Sequence, residues 1–510
     1  MLLLGIDIGT SSIKVSVVDA QKQMTIASAC YPETESEIIA KEPGWAEQAP
    51  AMWWDHVQHA ILKAHATKSY NPKEIKAIGI SYQMHGLVCV DKNQDALRDS
   101  IIWCDSRAVD LGNAAFNAIG HSRSLQHLLN SPGNFTASKL AWVKENEPAL
   151  YARIDKVMLP GDFIAMQFTG QCTTSISALS EGIFWDFKNK ELSKDVFNYF
   201  DLDTSFIPEI KNVFSGHGNV LSTVAEKLGL ATGIPVSYKA GDQPNNALSL
   251  NVLEPGEVAA TAGTSGVIYG VSNELTFDPR SRINSFAHVN HTAADKRIGV
   301  LLCINGTGIM NRWLKNSTGK DVSYASMNAA AATVRAGSEG LLVLPFGNGA
   351  ERMLENKLIG AHIGNLDLNI HSAAHLYRAS QEGIAFAFRY GLDIMRENGL
   401  NPGVIRAGRA NMFLSDVFAE CFVNSLDVPL ELYNCDGSVG AALGAGVGAG
   451  IFKTAKEAFI AAKPLKTIEP GAAVGLYNEL YETWRDLLME KCMPLHSGVL
   501  TGNTKKYSSL

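Results

Sequence analysis

Nowhere in the 510 residues do two cysteines stand three positions apart. The 8 cysteines are scattered singly, so zinc-site spacing is absent and nothing points to a disulfide framework. Long hydrophobic runs are also missing. The stretch lowest in polar residues, Gly437 to Phe452, is glycine-rich, too short and too weakly apolar to span a bilayer. It reads as a tightly packed helix. No basic lead precedes the short apolar start, MLLLGIDIGT, so that start reads as a strand and not as a signal peptide. No long basic run occurs, and 44 basic residues face 51 acidic ones, which argues against a nucleic-acid partner. Neither G-x-G-x-x-G nor G-x-x-x-x-G-K-[ST] is present, so Rossmann dehydrogenases and P-loop kinases fit poorly. A soluble, cytoplasmic protein with no membrane partner is expected.

What is present is an ordinary globular balance, with 46% hydrophobic and 19% charged residues in a chain long enough for at least two domains. Leu2, Leu4, Ile6 and Ile8 alternate as one strand face, a turn follows at Gly9-Thr10-Ser11-Ser12, and strands are expected from Ile13 to Val18 and Met24 to Ala29. Further strands are expected over Ala77–Tyr82, Ile101–Trp103 and Pro235–Ala240, the last before a helix at about Pro244–Leu250. This mixed order argues for the α/β class. The residues NVLEPG at Asn251–Gly256 suit a domain junction. The second half then opens as the first does, with a strand, Gly263-Thr264-Ser265-Gly266 and another strand, a weak internal duplication. The expected division is 1–251, 252–495 and a polar tail, 496–510.

Two Gly-Thr-Ser turns, one heading each half, can point N–H groups and hydroxyls at a triphosphate from both sides. Asp7, on the face opposite Ile6 and Ile8, is costly between isoleucines unless it serves a metal near phosphates. Asp242 follows a strand, where open α/β sheets place ligands. It reads either as a general base or as a cap for a helix starting at Pro244, whose N-terminus would tend to hold the carboxylate ionised. Met84-His85-Gly86 follows a strand and could face a polyol. Trp45 and Glu47, with Trp53 and Trp54 nearby, suit a sugar, although Trp53 and Trp54 also read as helix core. Ile405 to Asn411 joins a strand to a helix near Met412, with Asn411 as its cap and a small-residue loop that could pass a nucleotide base.

In series, GIDIGTSSIKVSVVD, PGWAEQAPAMWWD, QMHG, IIWCDSR, FTASKLAWVKENEP, LPGDFI, AGDQPNNALSL, ATAGTSG, LPFGNGAER, EGIAFAF and GSVGAALGAG resemble the FGGY carbohydrate kinase family, from Leu3 to about Phe452. That family belongs to the sugar kinase, Hsp70 and actin superfamily. The resemblance implies two actin-like ATPase domains flanking a catalytic cleft. It implies an ATP- and Mg²⁺-dependent kinase for a small sugar, and a homodimer. Within the family the motifs are most like those of members acting on the ketopentose D-xylulose; gluconate, ribulose and polyols such as erythritol are the alternatives. A sugar sensor or an actin- or Hsp70-like ATPase is the alternative of another class. By this resemblance Asp242 is the base, Met84 and His85 contact sugar, and Trp45, Glu47, Asp105 and Gln243 join them. Thr10, Ser11, Gly263 and Thr264 hold phosphates, Gly308, Gly408 and Asn411 lie near ADP, and Asp7 lies beside Mg²⁺. Arg406-Ala407-Gly408 replaces the glycine run of many relatives, leaving Arg406 to pair locally or approach the nucleotide. A sugar acid would need a cation in the cleft, for which Arg107 is the candidate.

Overall fold

The expected alternation at the N-terminus forms β1 (Leu2–Ile8), which runs antiparallel to β2 (Ile13–Asp19), itself antiparallel to β3 (Met24–Tyr31). The computed structural model describes residues 1–319 and 321–493. On the other side of β1, β4 (Ile75–Tyr82) and β5 (Val236–Gly241) add in parallel, giving the order β5-β4-β1-β2-β3.

The second half contains β6 (Val258–Ala262), β7 (Gly266–Ser272), β8 (Asn284–Ala287), β9 (Ile298–Ile304), β10 (Ile405–Gly408), β11 (Leu430–Tyr433) and β12 (Lys466–Ile468). Their order is β8-β9-β7-β6-β10-β11-β12. Here β6 stands where β1 stands in the first sheet. It is antiparallel to the strand after its Gly-Thr-Ser turn and parallel to β10, which is parallel to β11. The duplication suggested by two short turns therefore extends over whole sheets.

Six helices matter for the site: α1 (Pro50–His65), α2 (Thr136–Asn146), α3 (Asp242–Ser249), α4 (Gly308–Thr318), α5 (Asp416–Leu426) and α6 (Gly437–Gly448). One face of the first sheet is covered by α1, whose Trp53, Val57, Ala60 and Ile61 are buried. The other face is covered by α6, from the far end of the chain. A Cβ on Gly5 would stand 1.7 Å from the carbonyl oxygen of Ser438, and one on Gly79 would stand 1.9 Å from that of Ala441. Only glycine permits so close a backbone approach. Covered on both sides, β1 buries more than the single face that its alternation predicts. The exchange is mutual: Ala247 and Leu250, at the end of α3, pack with Ala259, Tyr269 and Val271 of the second sheet. Among the described residues no helix is long and apolar enough to cross a membrane.

Candidate active site

The parallel strand β5 ends at Gly241, and α3 begins at once with Asp242. The N-cap is Gly241, two residues earlier than a helix starting at Pro244 would have it. Asp242 therefore stands as the first helical residue at the carboxyl end of a strand, and the capping reading lapses. Loss of water around its carboxyl raises its pKa to about 7, and the charge of Asp7 adds to the shift. The helix N-terminus was expected to hold Asp242 ionised; desolvation outweighs it. Met84 and Glu181 press on the preceding residue: a Cβ on Gly241 would lie 2.7 Å from Met84 Cγ and 2.8 Å from Glu181 Oε2. Gln243 follows in the first turn of α3, partly exposed. Glu181 was not picked out from sequence, because nothing around it marks it.

His85 has a left-handed backbone, φ 61. Its Nδ1 lies 3.1 Å from the carbonyl oxygen of Glu181. A carbonyl only accepts, so Nδ1 carries the proton. Burial lowers the His85 pKa to about 3, so the ring is neutral and Nε2 remains an acceptor. Phe135 packs edge-on at 4.8 Å, and Phe286 of β8 packs at 5.3 Å, so both halves enclose the ring.

Glu47 and Asp105 are otherwise engaged. Arg107 lies between them, with Nη1 2.8 Å from Glu47 Oε1 and Nη2 2.7 Å from Asp105 Oδ2. Its guanidinium stacks over the Trp45 ring at 3.8 Å. Glu47 also pairs with Arg98, and with Lys41 at 3.1 Å, while Asp105 accepts from the Ala46 N–H at 2.6 Å. With exposures of 1% and 0%, these carboxylates brace the wall through their ion pairs. Arg107, neutralised on two sides, is not the free cation a sugar acid would need. Trp53 is core, and Trp54 packs on Phe168 at 4.9 Å, as their helix-core reading has it.

The first Gly-Thr-Ser turn is tied into the same region. Thr10 Oγ1 donates to Gln83 Oε1 at 3.0 Å and accepts from Trp103 Nε1 at 2.9 Å. Gln83 Nε2 donates to Gln48 Oε1 at 2.9 Å, and Gln48 Nε2 returns to the Thr10 carbonyl at 2.8 Å. Ser11 is exposed at the tip. The glutamines of QMHG and GWAEQ form this ring, which no local pattern in the sequence marks. Asp7 points toward the start of α6: a Cβ on Gly437 would lie 2.5 Å from its Oδ2. Burial and the charge of Asp436 raise the Asp7 pKa. Lys14 is paired with Asp436. Among the described residues no group of three or more His, Cys, Asp or Glu forms a ready metal cage. Asp7 near Asp242 and Asp436 suits instead a magnesium ion held mostly by phosphate and water, for which one or two carboxylates suffice.

The second turn is locked to α4. The Gly308 N–H donates to the Gly263 carbonyl at 2.9 Å, and the Ile309 N–H to that of Thr264 at 3.1 Å. A Cβ on Gly308 would meet Gly263 O at 2.3 Å, so this position requires glycine. Gly263, Thr264, Gly308 and Asn411 line one cavity of about 610 Å³, together with Asn311, Tyr324 and Asn328. Gly408 ends β10 beside Cys435 and is not part of that lining. Asn411 is left-handed (φ 52) and starts a 3-10 turn, Asn411–Leu414. The cap of α5 is Ser415, whose Oγ accepts from the Phe418 N–H at 3.3 Å, so the capping role expected of Asn411 is corrected. Arg406 pairs locally, with Glu431 at 3.1 Å and Glu257 at 3.3 Å.

Two duplicated sheets with a Gly-Thr-Ser turn heading each, and a carboxylate at a strand end between them, are the arrangement of the actin-like ATPase fold. Residues 2–249 and 258–449 match the N-terminal and C-terminal domains of the FGGY family of carbohydrate kinases. The chain belongs to that family and is a carbohydrate kinase. It is 29% identical over 471 residues to the xylulose kinase of Escherichia coli strain K12, covering 92% of this chain and 91% of that one. The crystal structure of a xylulose kinase from Rhodospirillum rubrum superposes with a TM-score of 0.86 at 25% identity, covering 96% and 99% of the two chains. A gluconate kinase from Lactobacillus acidophilus, at a TM-score of 0.87, 21% identity and coverage of 96% and 98%, shares the fold.

Proposed function

We propose that the protein phosphorylates a ketopentose, D-xylulose, on its terminal hydroxyl, with Mg-ATP as donor and Asp242 as general base. The observation that carries this is Asp242 itself, titrating near 7 at a strand end with Met84 against its neighbour Gly241. A base matched to the working pH removes the hydroxyl proton as the oxygen attacks the γ-phosphorus. Neutral His85 accepts from a second hydroxyl through Nε2 and so orients the sugar. The backbone amides of the Thr10 and Thr264 turns hold the phosphates, and the nucleoside occupies the cavity lined by Gly308 and Asn411. Magnesium beside Asp7 would neutralise phosphate charge. The transfer needs positioning more than covalent help. The xylulose kinase relatives, alike over most of their length, favour this sugar. The engagement of Arg107 by two carboxylates disfavours a sugar acid.

The test is ADP release with Mg-ATP across D-xylulose, L-xylulose, both ribuloses, gluconate, glycerol and erythritol. D-Xylulose should turn over fastest, and Asp242→Asn should lower kcat by about 10² to 10⁴. Faster turnover of gluconate or a polyol would replace the substrate and leave the base. An Asp242→Asn enzyme retaining more than about a tenth of its turnover would remove the base.

A further inference from the structure

Beside the sugar pocket lies a buried cation to which the chemistry above gives no task. Lys139, on α2, is 0% exposed. Its Nζ donates to the carbonyl oxygen of His85 at 2.8 Å and to that of Ile102 at 2.9 Å. The two carbonyls belong to different loops. His85 follows β4, and Ile102 precedes Trp103, whose indole reaches Thr10. A left-handed residue turns its carbonyl out of the strand ladder, and a buried carbonyl needs a donor. At His85 the donor is Lys139. A methionine or leucine would occupy this space without the cost of burying an ammonium; what it lacks is donors. Burial lowers the Lys139 pKa to about 7, Arg107 adding to the shift and Asp105 opposing it. The Lys139 charge also helps to lower the pKa of His85.

We propose that Lys139 is a positioning residue of the sugar pocket: it ties the His85 turn to the Ile102–Asp105 loop and so fixes the His85 ring and Trp103 relative to each other. This rests on the reading of Met84 and His85 as the sugar contacts. Lys139 acts through those loops and touches no substrate.

The test is steady-state kinetics of Lys139→Met with D-xylulose and Mg-ATP, beside ADP affinity measured by titration calorimetry. Losing a charge-assisted bond corresponds to about 10- to 100-fold in affinity, so KM for D-xylulose should rise by about that factor. ADP affinity should change by less than about threefold, because the cavity for its nucleoside is lined wholly from the second half of the chain, by Gly263, Gly308 and Asn411 among others, and Lys139 reaches the phosphate turns only at Thr10, through Trp103. Should Lys139→Met melt below the assay temperature, Lys139→Arg carries the test. Its planar fork keeps the charge but meets the two carbonyls differently, so the same split is expected at about five- to tenfold. A folded variant with an unchanged KM for D-xylulose, or one losing sugar and ADP affinity in parallel, overturns the proposal. His85→Ala separates the layers. If it raises KM while Lys139→Met does not, only the positioning role falls. If neither moves KM, the pocket assignment falls.

Discussion

Asp242 is destabilised when ionised, and its pKa near 7 expresses that cost. Two measurements follow from the sign. On the proposed role Asp242 works only without its proton, so kcat/KM for the sugar should rise with pH and level off above about 7, where Asp242 is ionised. Folding stability runs the other way. The unfolded carboxyl ionises near its ordinary value of 3.8, and the folded one does so near 7. Between those values the native state holds the extra proton, so this group's contribution falls as pH rises and stays lost above 7. Asp242→Asn cannot ionise and escapes the loss. It should melt above the wild type at pH 8, with the difference vanishing toward pH 4. Equal melting temperatures at pH 8 would mean that the carboxyl is solvated, and the poised base with it would be gone. Sequence alone could not supply this value. It located Asp242 at a strand end but weighed only the helix dipole, because desolvation depends on Asp7 and on packing drawn from remote segments.

At the scale of elements, α6 shows how composition encodes contact distance. Its glycines and alanines lie on the first sheet so closely that strand residues must be glycine as well. Gly79→Ala would drive a methyl group to within 1.9 Å of the Ala441 carbonyl, in a place where backbone and not a side-chain tip must yield. Overpacking of this kind costs about 1–3 kcal/mol, and a backbone partner puts it at the upper end. Gly475, the second residue of the helix Val474–Cys492, meets nothing within 4 Å, so Gly475→Ala should stabilise through helix propensity by up to about 0.5 kcal/mol, less than the difference in a helix interior. Urea midpoints at constant slope would read both, and a neutral Gly79→Ala would mean that α6 stands farther from the sheet. The helix was legible in sequence as tightly packed, but its partner was not, since more than 420 residues separate Gly437 from β1. The hairpins were legible because alternation and turn chemistry are local. The roles of Glu47 and Asp105 were not, because Arg107, which engages both, lies in a different loop from Glu47. Asn411 misled because any Asn before a helix looks like a cap, and the 3-10 turn that hands this task to Ser415 leaves no pattern.

For the whole molecule, the exchange of helices makes each half incomplete alone. Leu3, Val18, Ala77, Tyr238 and Ala240 of the first sheet are buried with Ala441, Ala442, Leu443, Ala445 and Phe452. In return, α3 starts with Asp242, the proposed base, and ends in the core of the second half. A fragment of residues 1–251 would thus expose an apolar sheet face that the intact chain covers, and apolar burial is the dominant favourable term in folding. We expect such a fragment to bind a hydrophobic dye, to lack a cooperative thermal transition, and to recover one when a peptide of residues 436–452 is added. A fragment that melts cooperatively by itself, with no change on adding the peptide, would show that α6 rests on an already complete domain. The expected result would carry a consequence for turnover. Both Asp242 and Asp7 lie at elements packed across the two halves, so a movement that opens the cleft must shift α3 and α6 together. The geometry of base and phosphates would then be set by the same contacts that hold the protein folded.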